Sequence, residues 1–174
     1  ISQTRKDGYL QSNGEYIFFM DCDDFLPKDA LKILYDAATS TGADVTIGDF
    51  ACVVDSYGLI RLNVSNSQHE AAGKLIPKED VLKVCYGPLI NTINDSVKMI
   101  VWGRLYKNNL IKLAIGKSDK DPFNPLKYLE DWWFNLLLMP YINSLYLTDD
   151  IVYTYRYGGV ATTNAFNKDG DSVY

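Results

Sequence analysis

The stretch Tyr16-Ile17-Phe18-Phe19-Met20-Asp21-Cys22-Asp23-Asp24 decides the fold. Its first five residues form an unbroken apolar run rich in β-forming side chains, which predicts a short strand buried on both faces. The run ends abruptly in three carboxylates within four residues. Because α/β sheets bind their ligands beyond the carboxyl ends of central strands, this junction predicts a functional site as well as a fold class.

The residues after the acidic junction predict a helix and a second strand. Pro27 suits the first turn of a helix, and apolar side chains recur behind it at helical spacing. We expect Gly42 to end this helix and a strand to follow over residues 43–48. The order strand, acidic loop, helix, strand is that of a βαβ unit. The expected apolar stripe of the helix consists of Ala30, Leu31, Leu34, Tyr35 and Ala38.

The rest of the chain shows no repeats and no linker, so we expect a single domain over residues 1–174. Residues 98–106 fit a strand and a helix equally well. The polar stretch 65–74 is typical of a mobile loop, and the Gly- and Asn-rich end, 157–174, of a frayed terminus. The remaining expectations are a hairpin with strands over 50–54 and 59–64, helices over 76–86 and 129–139, and strands over 144–147 and 151–155.

Composition excludes several classes of protein. The 174 residues are 47% hydrophobic and 22% charged, a globular balance that excludes a disordered, collagenous or coiled-coil chain. The formal net charge is −5 and no basic block occurs, which argues against binding of nucleic acid. No apolar run approaches the roughly 18 residues of a membrane span, so we expect no transmembrane segment.

Cysteine and histidine usage narrows the chemistry. Cys22, Cys52 and Cys85 are odd in number and lack CxxC spacing, which predicts reduced thiols and a cytoplasmic location, including the inner face of the membrane. The lone histidine, His69, lies in a polar stretch and is expected to be a solvated loop residue. Any mechanism that needs a Ser-His or Cys-His pair would depend on this one residue.

The acidic loop, residues 21–24, offers a metal site. Asp21 and Asp23 are two residues apart at the end of a strand, so alternation predicts that their side chains point the same way. Two close carboxylates repel each other, and a hard cation such as Mg²⁺ or Mn²⁺ is the usual reason to keep both ionised. The alternative is structural: Asp24 caps the following helix, and the other two carboxylates are solvated.

A longer set of residues surrounds this loop in a recognisable order. Family-2 glycosyltransferases carry the pattern S-x-A-R-N-x-G-L-x-x-A-x-G-E-Y-I-x-F-L-D-S-D-D, and the chain resembles it with almost no change of spacing. Later segments that match in order are 43–45 (Ala-Asp-Val), 102–106 (Trp-Gly-Arg-Leu-Tyr), 130–132 (Glu-Asp-Trp) and 155–156 (Tyr-Arg). The matching residues of the first segment are Ser2, Arg5, Gly8, Leu10 shifted by one, Gly14, Glu15, Tyr16, Ile17, Phe19, Asp21, Asp23 and Asp24.

The resemblance implies a GT-A-like α/β fold, a mixed sheet flanked by helices, and an inverting reaction. A sugar would pass from a nucleotide-diphosphate donor to a hydroxyl of a glycan or lipid-linked acceptor. Asp23 resembles the direct ligand of a Mn²⁺ or Mg²⁺ on the diphosphate, and Asp21 resembles the residue that supports metal and ribose. Asp131 matches the family's catalytic base at the start of a helix, although acidic residues also occur there to complement a helix dipole.

Arginine and tryptophan side chains are candidates for binding the two substrates. Arg104 and Arg156 suit bidentate contacts to phosphate, with surface ion pairs as the alternative. Trp102 and Trp132 offer ring faces on which a sugar can stack, although such residues are as often part of a core. The expected donor contacts are Arg5, Arg156 and Asp21, and the expected acceptor contacts are Trp102, Trp132 and Glu130.

The chain departs from the family pattern in three places. The two βα units that hold the nucleoside in family members are absent ahead of Arg5, so we expect the C-terminal two-thirds of a GT-A domain, truncated at its N-terminus. Lys6 stands at the family's Asn position, and Tyr157-Gly158-Gly159 replaces a segment where many members carry His. We expect a truncated domain to be a poor transferase by itself, and its unpaired sheet edge to invite a homodimer or pairing with a separate front-half chain.

Two other functions compete with sugar transfer. In a haloacid-dehalogenase-like phosphatase an apolar strand also ends in D-x-D, but Asp24 and Phe25 stand where that fold wants small, flexible residues. A truncated, inactive remnant or interaction module of the transferase fold would explain the substituted Asn and His positions. Binding of a nucleotide diphosphate with Mn²⁺ distinguishes a working enzyme from such a remnant.

Overall fold

Helices and short strands alternate along the chain. The computed structural model describes residues 1–54, 58–60, 71–91, 100–124, 126 and 129–157. In chain order, the elements within these residues are α1 (Ser2–Gln11), β1 (Tyr16–Phe18), α2 (Ala30–Thr41), β2 (Val45–Val54), β3 (Gly58–Ile60), β4 (Leu75–Pro77), α3 (Lys78–Asn91), β5 (Arg104–Lys107), α4 (Asn108–Lys117), α5 (Glu130–Leu138), a 3-10 turn (Met139–Tyr141) and β6 (Ser144–Tyr157).

The strands form one mixed sheet in the order β1-β5-β2-β6-β4, and β3 pairs with β2. β5 runs antiparallel to both β1 and β2, whereas β6 runs parallel to β2. β4 runs antiparallel to β6 at the far side of the sheet. The parallel pairing extends from Val45 opposite Leu145 to Val54 opposite Tyr157. The expected mixed sheet flanked by helices is therefore confirmed.

The strand before the acidic loop lies at the end of the described sheet and not at its centre. Within the described residues β5 is the one strand that flanks β1. Ile17 and Phe19 are buried in the larger core, whereas Tyr16 and Phe18 are only partly buried beside α2. Met20 is exposed. The expectation of a central strand buried on both faces is wrong, because a strand at the edge receives only partial cover on its second face.

The βαβ order is present, with one strand inserted. β1 and β2 are parallel because each is antiparallel to β5, which lies between them. α2 begins at Ala30, three residues after Pro27, whose carbonyl accepts a hydrogen bond from the Ala30 N–H in a preceding turn. Gly42 ends the helix with φ 72°, as expected. The buried stripe is Ala30, Leu34 and Ala38, while Leu31 and Tyr35 are exposed.

β2 and β6 are each one long strand where the sequence predicted two short ones. β2 joins the segments expected over 43–48 and 50–54, and β6 joins those expected over 144–147 and 151–155. The register between β2 and β6 shifts between Ile47 and Phe50, which marks a bulge. The hairpin is confirmed where Val54 pairs with Gly58, and its expected continuation over 61–64 lies outside the described residues.

The remaining helices differ from expectation at their starts. α3 begins at Lys78 because residues 75–77 pair with β6 as β4. The ambiguous stretch 98–106 contains β5, and α4, which the sequence reading did not predict, follows it directly. α5 is confirmed, and the 3-10 turn extends it. Most of the expected loop over 65–74, including His69, lies outside the described residues. The same holds for the expected frayed terminus beyond residue 157.

Two clusters of buried side chains lie on opposite faces of the sheet. The larger cluster is shared by α1, α3, α4, α5 and the sheet, and the smaller one lies under α2. Cys22 is exposed and Cys85 is buried, and neither forms a disulfide within the described residues. The reduced state of the three thiols stays a prediction. Among the described helices, none combines the length and apolar character that crossing a membrane requires. The smaller cluster consists of Ala30, Leu34, Ala38, Leu105 and Val152.

Gly48 is required where β2 and β6 come close together. A Cβ at this position would lie 2.2 Å from Cγ2 of Val152, which is fully buried. We expect Gly48→Ala to lower the free energy of unfolding by about 1–3 kcal/mol, because neither strand can move aside freely. Gly116→Ala in α4 is the control, since no atom lies within 4 Å of its added Cβ. Urea denaturation measures both, and equal stability of the two variants would contradict the prediction.

Candidate functional site

Arg5 joins two acidic groups from distant parts of the chain. Its Nη2 lies 2.9 Å from Oδ1 of Asp21, and its Nη1 donates to Oδ1 of Asp131. The side chains of Arg5 and Asp131 are only 13% and 18% exposed. Opposite charges attract more strongly in such surroundings than at an open surface. The structure therefore brings together three residues predicted separately, and we call this contact the Arg5 bridge.

Helix α1 holds Arg5 in place. Tyr9 lies one turn further along the helix, packs its ring 5.4 Å from that of Phe123, and donates a hydrogen bond to Asn108 (3.2 Å). Ser2 and Tyr9 are the buried residues of α1, whose sequence is otherwise polar. The sequence reading missed this helix because such a pattern has no apolar stripe.

The acidic loop is a turn and does not continue the strand. The N–H of Asp24 donates to the carbonyl of Asp21 at 3.3 Å, which closes the turn over residues 21–24. The argument that alternation aligns the Asp21 and Asp23 side chains is therefore wrong. Asp21 and Asp23 are both partly exposed, and Cys22 between them is exposed. No group of three His, Cys, Asp or Glu side chains suited to a metal occurs among the described residues.

Asp24 is an anchor of the acidic loop and not a helix cap. Its carboxylate is buried, and it accepts hydrogen bonds from the Tyr153 hydroxyl (2.6 Å) and from the Arg156 N–H (2.7 Å). Asp29, five residues later, occupies the N-cap position of α2. Burial raises the pKa of Asp24, and the two hydrogen bonds oppose this rise. The alternative in which Asp24 caps the helix is wrong, because its carboxylate is engaged with β6.

Asp131 has both carboxylate oxygens engaged. Oδ1 accepts from Arg5, and Oδ2 accepts from the N–H of Val101 at 3.3 Å. Burial raises the pKa of Asp131, and the Arg5 charge opposes the rise without cancelling it. Leu129, just before the helix, has φ 63°, a strained backbone conformation for leucine that the surrounding structure has to stabilise.

A buried polar network that the sequence reading missed supports Asp131. The Tyr106 hydroxyl donates to Oδ1 of Asn135 at 3.0 Å. The Asn135 amide donates to the carbonyls of Asp131 (2.9 Å) and Ile100 (3.2 Å). Asn135 is the lone polar residue in the apolar run 132–138 and follows Asp131 by four residues. That pattern is the signal that would have identified it.

Trp102 and Trp132 pack against the core. Trp102 is 8% exposed and stacks on Tyr153 and Tyr155, with ring centroids 4.5 and 5.7 Å apart. A sugar that stacked on Trp102 would have to displace this packing. Trp132 is partly buried against the larger core cluster. Their binding of an acceptor stays a prediction.

The candidate arginines differ in burial. Arg104 is only 3% exposed, so the surface ion pair considered for it is wrong. Within the described residues its Nε has no hydrogen-bond partner. Arg156 contacts the acidic loop through its backbone N–H. The contacts of both guanidinium groups to phosphate stay predictions.

Glu130 lies beside the Arg5 bridge at the rim of a small cavity. The cavity is walled mainly by aromatic and aliphatic side chains, with one cation and one carboxylate at its edge. The volume open to a ligand atom is only about 10 Å³, room for about one water molecule, so this cavity does not itself hold a sugar. Its lining residues are Ser2, Arg5, Phe19, Val101, Pro122, Phe123, Glu130 and Phe134.

Removing Arg5 should destabilise the fold through the buried carboxylate that remains. We expect Arg5→Met to lower the free energy of unfolding by about 3 kcal/mol, because it leaves Asp131 without its counter-charge. Lys6→Met breaks the neighbouring but exposed ion pair with Asp121 and should change it by less than about 1 kcal/mol. Urea denaturation of both, and of Asp131→Asn and the double variant Arg5→Met/Asp131→Asn, measures the coupling between Arg5 and Asp131. Additive effects of the two changes would show that the bridge contributes nothing.

The chain is similar in sequence to known transferases. The family profile described as Glycosyl transferase family 2 matches residues 1–91. Glycosyltransferase GlyA of Streptococcus pneumoniae serotype 4 (strain ATCC BAA-334 / TIGR4) is 24% identical over 127 residues. These residues are 71% of this chain and 18% of GlyA, so the chain spans under a fifth of that relative.

Solved structures of S. aureus TarS share the fold. TarS 1-349 in complex with UDP-GlcNAc gives a TM-score of 0.62 at 17% identity and covers 97% of this chain and 41% of the TarS chain. TarS 1-349 alone gives 0.59 at 19% identity, over 89% and 40%. These similarities show that the sheet is GT-A-like, and the phosphatase alternative is wrong. Since the family profile covers more than half of its residues, the chain belongs to glycosyl transferase family 2.

Proposed function

We propose that the chain forms the diphosphate and base side of an inverting glycosyltransferase site. A sugar would pass from a nucleotide-diphosphate donor to a hydroxyl of the acceptor. The observation that carries this proposal is the Arg5 bridge, which joins the acidic loop to the first turn of α5. The group that holds the diphosphate and the base must flank one anomeric carbon, so they have to lie close together. A single guanidinium spanning Asp21 and Asp131 supports that arrangement.

The acidic loop fits a divalent cation completed by the donor. Asp21 and Asp23 offer hard carboxylate oxygens at a partly exposed turn, the ligand type that Mg²⁺ and Mn²⁺ prefer. Such ions are often held by one or two carboxylates together with substrate phosphates, so a third protein ligand is not needed. When ionised, Asp21, Asp23 and Asp131 outweigh the charge of Arg5, and a diphosphate would be repelled without a cation. The bound ion would neutralise charge on the departing diphosphate.

Asp131 is suited to take the acceptor's proton. The acceptor oxygen would attack the anomeric carbon as the bond from that carbon to the diphosphate breaks, with its electron pair leaving on the phosphate oxygen. Asp131 would receive the hydroxyl proton, and its raised pKa favours that transfer. In the free protein Arg5 occupies Oδ1 of Asp131. A donor phosphate that attracts the guanidinium would free this oxygen for the acceptor.

The acceptor side is proposed next to Glu130. Glu130 directly precedes the expected base in the first turn of α5 and is partly exposed, so it can accept hydrogen bonds from sugar hydroxyls. A glycan or a lipid-linked sugar provides such hydroxyls. The donor class is supported by the family, and TarS was solved with UDP-GlcNAc. A homodimer through the edge of β1 and a location at the inner membrane face stay predictions.

Binding of UDP in the presence of Mn²⁺ tests the donor half of the proposal. We expect calorimetry to detect binding to the purified chain and Asp23→Asn to weaken it at least about tenfold, because a metal ligand is lost. Asp36→Asn is the matched control, since Asp36 is an exposed partner of Lys32 in α2. Absence of UDP binding with Mn²⁺ would contradict the proposal.

Turnover of UDP-GlcNAc and other sugar nucleotides tests the base. The test uses an active full-length version of the protein, since a truncated domain is expected to be a poor transferase by itself. In that version we expect Asp131→Asn to reduce the rate at least about a hundredfold while donor affinity changes little. Because the pKa of Asp131 is raised, activity should fall on the acid side at a pH above the ordinary range for Asp. Arg5→Met removes a charge that favours the carboxylate, so this acid limb should move to higher pH. Donor binding without turnover of any sugar nucleotide would indicate the inactive remnant.

A further inference from the structure

The acidic loop is hydrogen-bonded to β6 at both of its ends. Both ends of the turn contact the same strand, which is more than 120 residues away in sequence. The contacts are Tyr153 Oη to Asp24 Oδ2 (2.6 Å), the Asp21 N–H to Tyr153 Oη (3.1 Å), the Arg156 N–H to Asp24 Oδ1 (2.7 Å), and the paired backbone bonds between Phe25 and Thr154 (3.0 and 2.9 Å).

One oxygen atom connects the two ends of this turn. The Tyr153 hydroxyl donates its proton to Asp24 and accepts a hydrogen bond from the N–H of Asp21. Because it binds the first and the last residue of the loop at once, it limits how far Asp23 can move between them. A buried carboxylate also gives a strong, charge-assisted hydrogen bond, so the contact is costly to break.

The Tyr153 ring is itself immobilised. It is fully buried, lies 4.5 Å from the Trp102 ring at an interplanar angle of 14°, and has Phe18 6.3 Å away. Burial raises the pKa of Tyr153 far above its usual range, so the hydroxyl keeps the proton that it donates. The aromatic stack therefore gives the hydroxyl a fixed position.

We propose that Tyr153 is a positioning residue that sets the shape of the acidic loop for the metal–diphosphate end of the donor. This inference rests on the proposed function of Asp21 and Asp23. Tyr153 itself touches neither metal nor donor in this account. It acts through Asp24, which serves as the anchor, and through the backbone of Asp21. Tyr153 thereby belongs to the site although it is buried.

Tyr153→Phe removes the hydroxyl alone and tests the proposal. We expect the affinity for UDP with Mn²⁺ to fall about tenfold or more, because a loop that samples several shapes binds less tightly. Amide exchange over residues 19–26 should become at least about tenfold faster, while exchange in α4 stays unchanged. Tyr146→Phe is the matched control, since Tyr146 lies on the same strand and its hydroxyl makes no hydrogen bond within the described residues.

A second control separates positioning from a general loss of stability. Val81→Ala truncates a buried side chain of α3 away from the acidic loop, and it should lower the melting temperature without changing affinity for UDP with Mn²⁺. Asp24→Asn tests the same hydrogen bonds from the loop side and serves if Tyr153→Phe does not fold. Both changes disrupt the same contact, the one between Tyr153 and Asp24. The double variant should therefore bind UDP with Mn²⁺ no more weakly than the single variant of lower affinity.

The possible results distinguish a failure of the positioning role of Tyr153 from a failure of the proposed function. Unchanged affinity of a folded Tyr153→Phe protein, or an equal loss of affinity in Val81→Ala, would overturn the positioning role. Unchanged exchange over residues 19–26 would overturn it independently of any ligand. If the unmodified chain does not bind UDP with Mn²⁺, the proposed function fails and the positioning role for a donor fails with it. Faster exchange in the loop would then report only its attachment to β6.

Discussion

The attraction between one guanidinium and two carboxylates is the constraint on which the rest of the site depends. Arg5 belongs to a helix at the start of the chain, Asp21 to a turn, and Asp131 to a helix more than a hundred residues later. Two carboxylates this close would repel each other, and the planar fork of an arginine can bind both at once. α1, the acidic loop and α5 therefore have to meet at one point. The burial of Tyr9 and the network of Asn135 hold two of these elements against the core.

Local patterns in the sequence predicted the elements that local physics determines. The apolar run at 16–20, the helix ending at Gly42 and the helix after Leu129 all carry their signals within about a dozen residues. α1 was not predicted because only two of its residues are buried. α4 was not predicted because the stretch before it fits both a strand and a helix. Single β2 and β6 strands were read as pairs because polar residues interrupt them at the bulge. The family resemblance, and not periodicity, selected the three charged residues that the structure brings together.

Buried aromatic and polar side chains were the hardest part of the site to predict. Sequence alone gives Trp102 an even choice between sugar stacking and packing, and the structure gives it Tyr153 and Tyr155 as neighbours. Asp24 looked like a helix cap because a helix follows it, whereas its partners lie on the last strand. Such pairings depend on which strands become neighbours, and no local pattern encodes that choice. Arg104 differs again, since a charged residue at 3% exposure is rare and the stretch around it, 98–106, fits a strand and a helix equally well.

The pairing of the acidic loop with β6 has a consequence for biosynthesis. Asp24 and Tyr153 are 129 residues apart, so the ribosome has to add that stretch before the loop can close. At typical elongation rates of about 5–20 residues per second, this interval is on the order of ten seconds. Throughout that time the carboxylate of Asp24, which is buried in the folded domain, is exposed to water. Such long-range closure gives the parallel β2–β6 pair a high contact order, which makes it a late event in folding. The site is therefore among the last parts of the domain to acquire its geometry, and an incomplete chain has none.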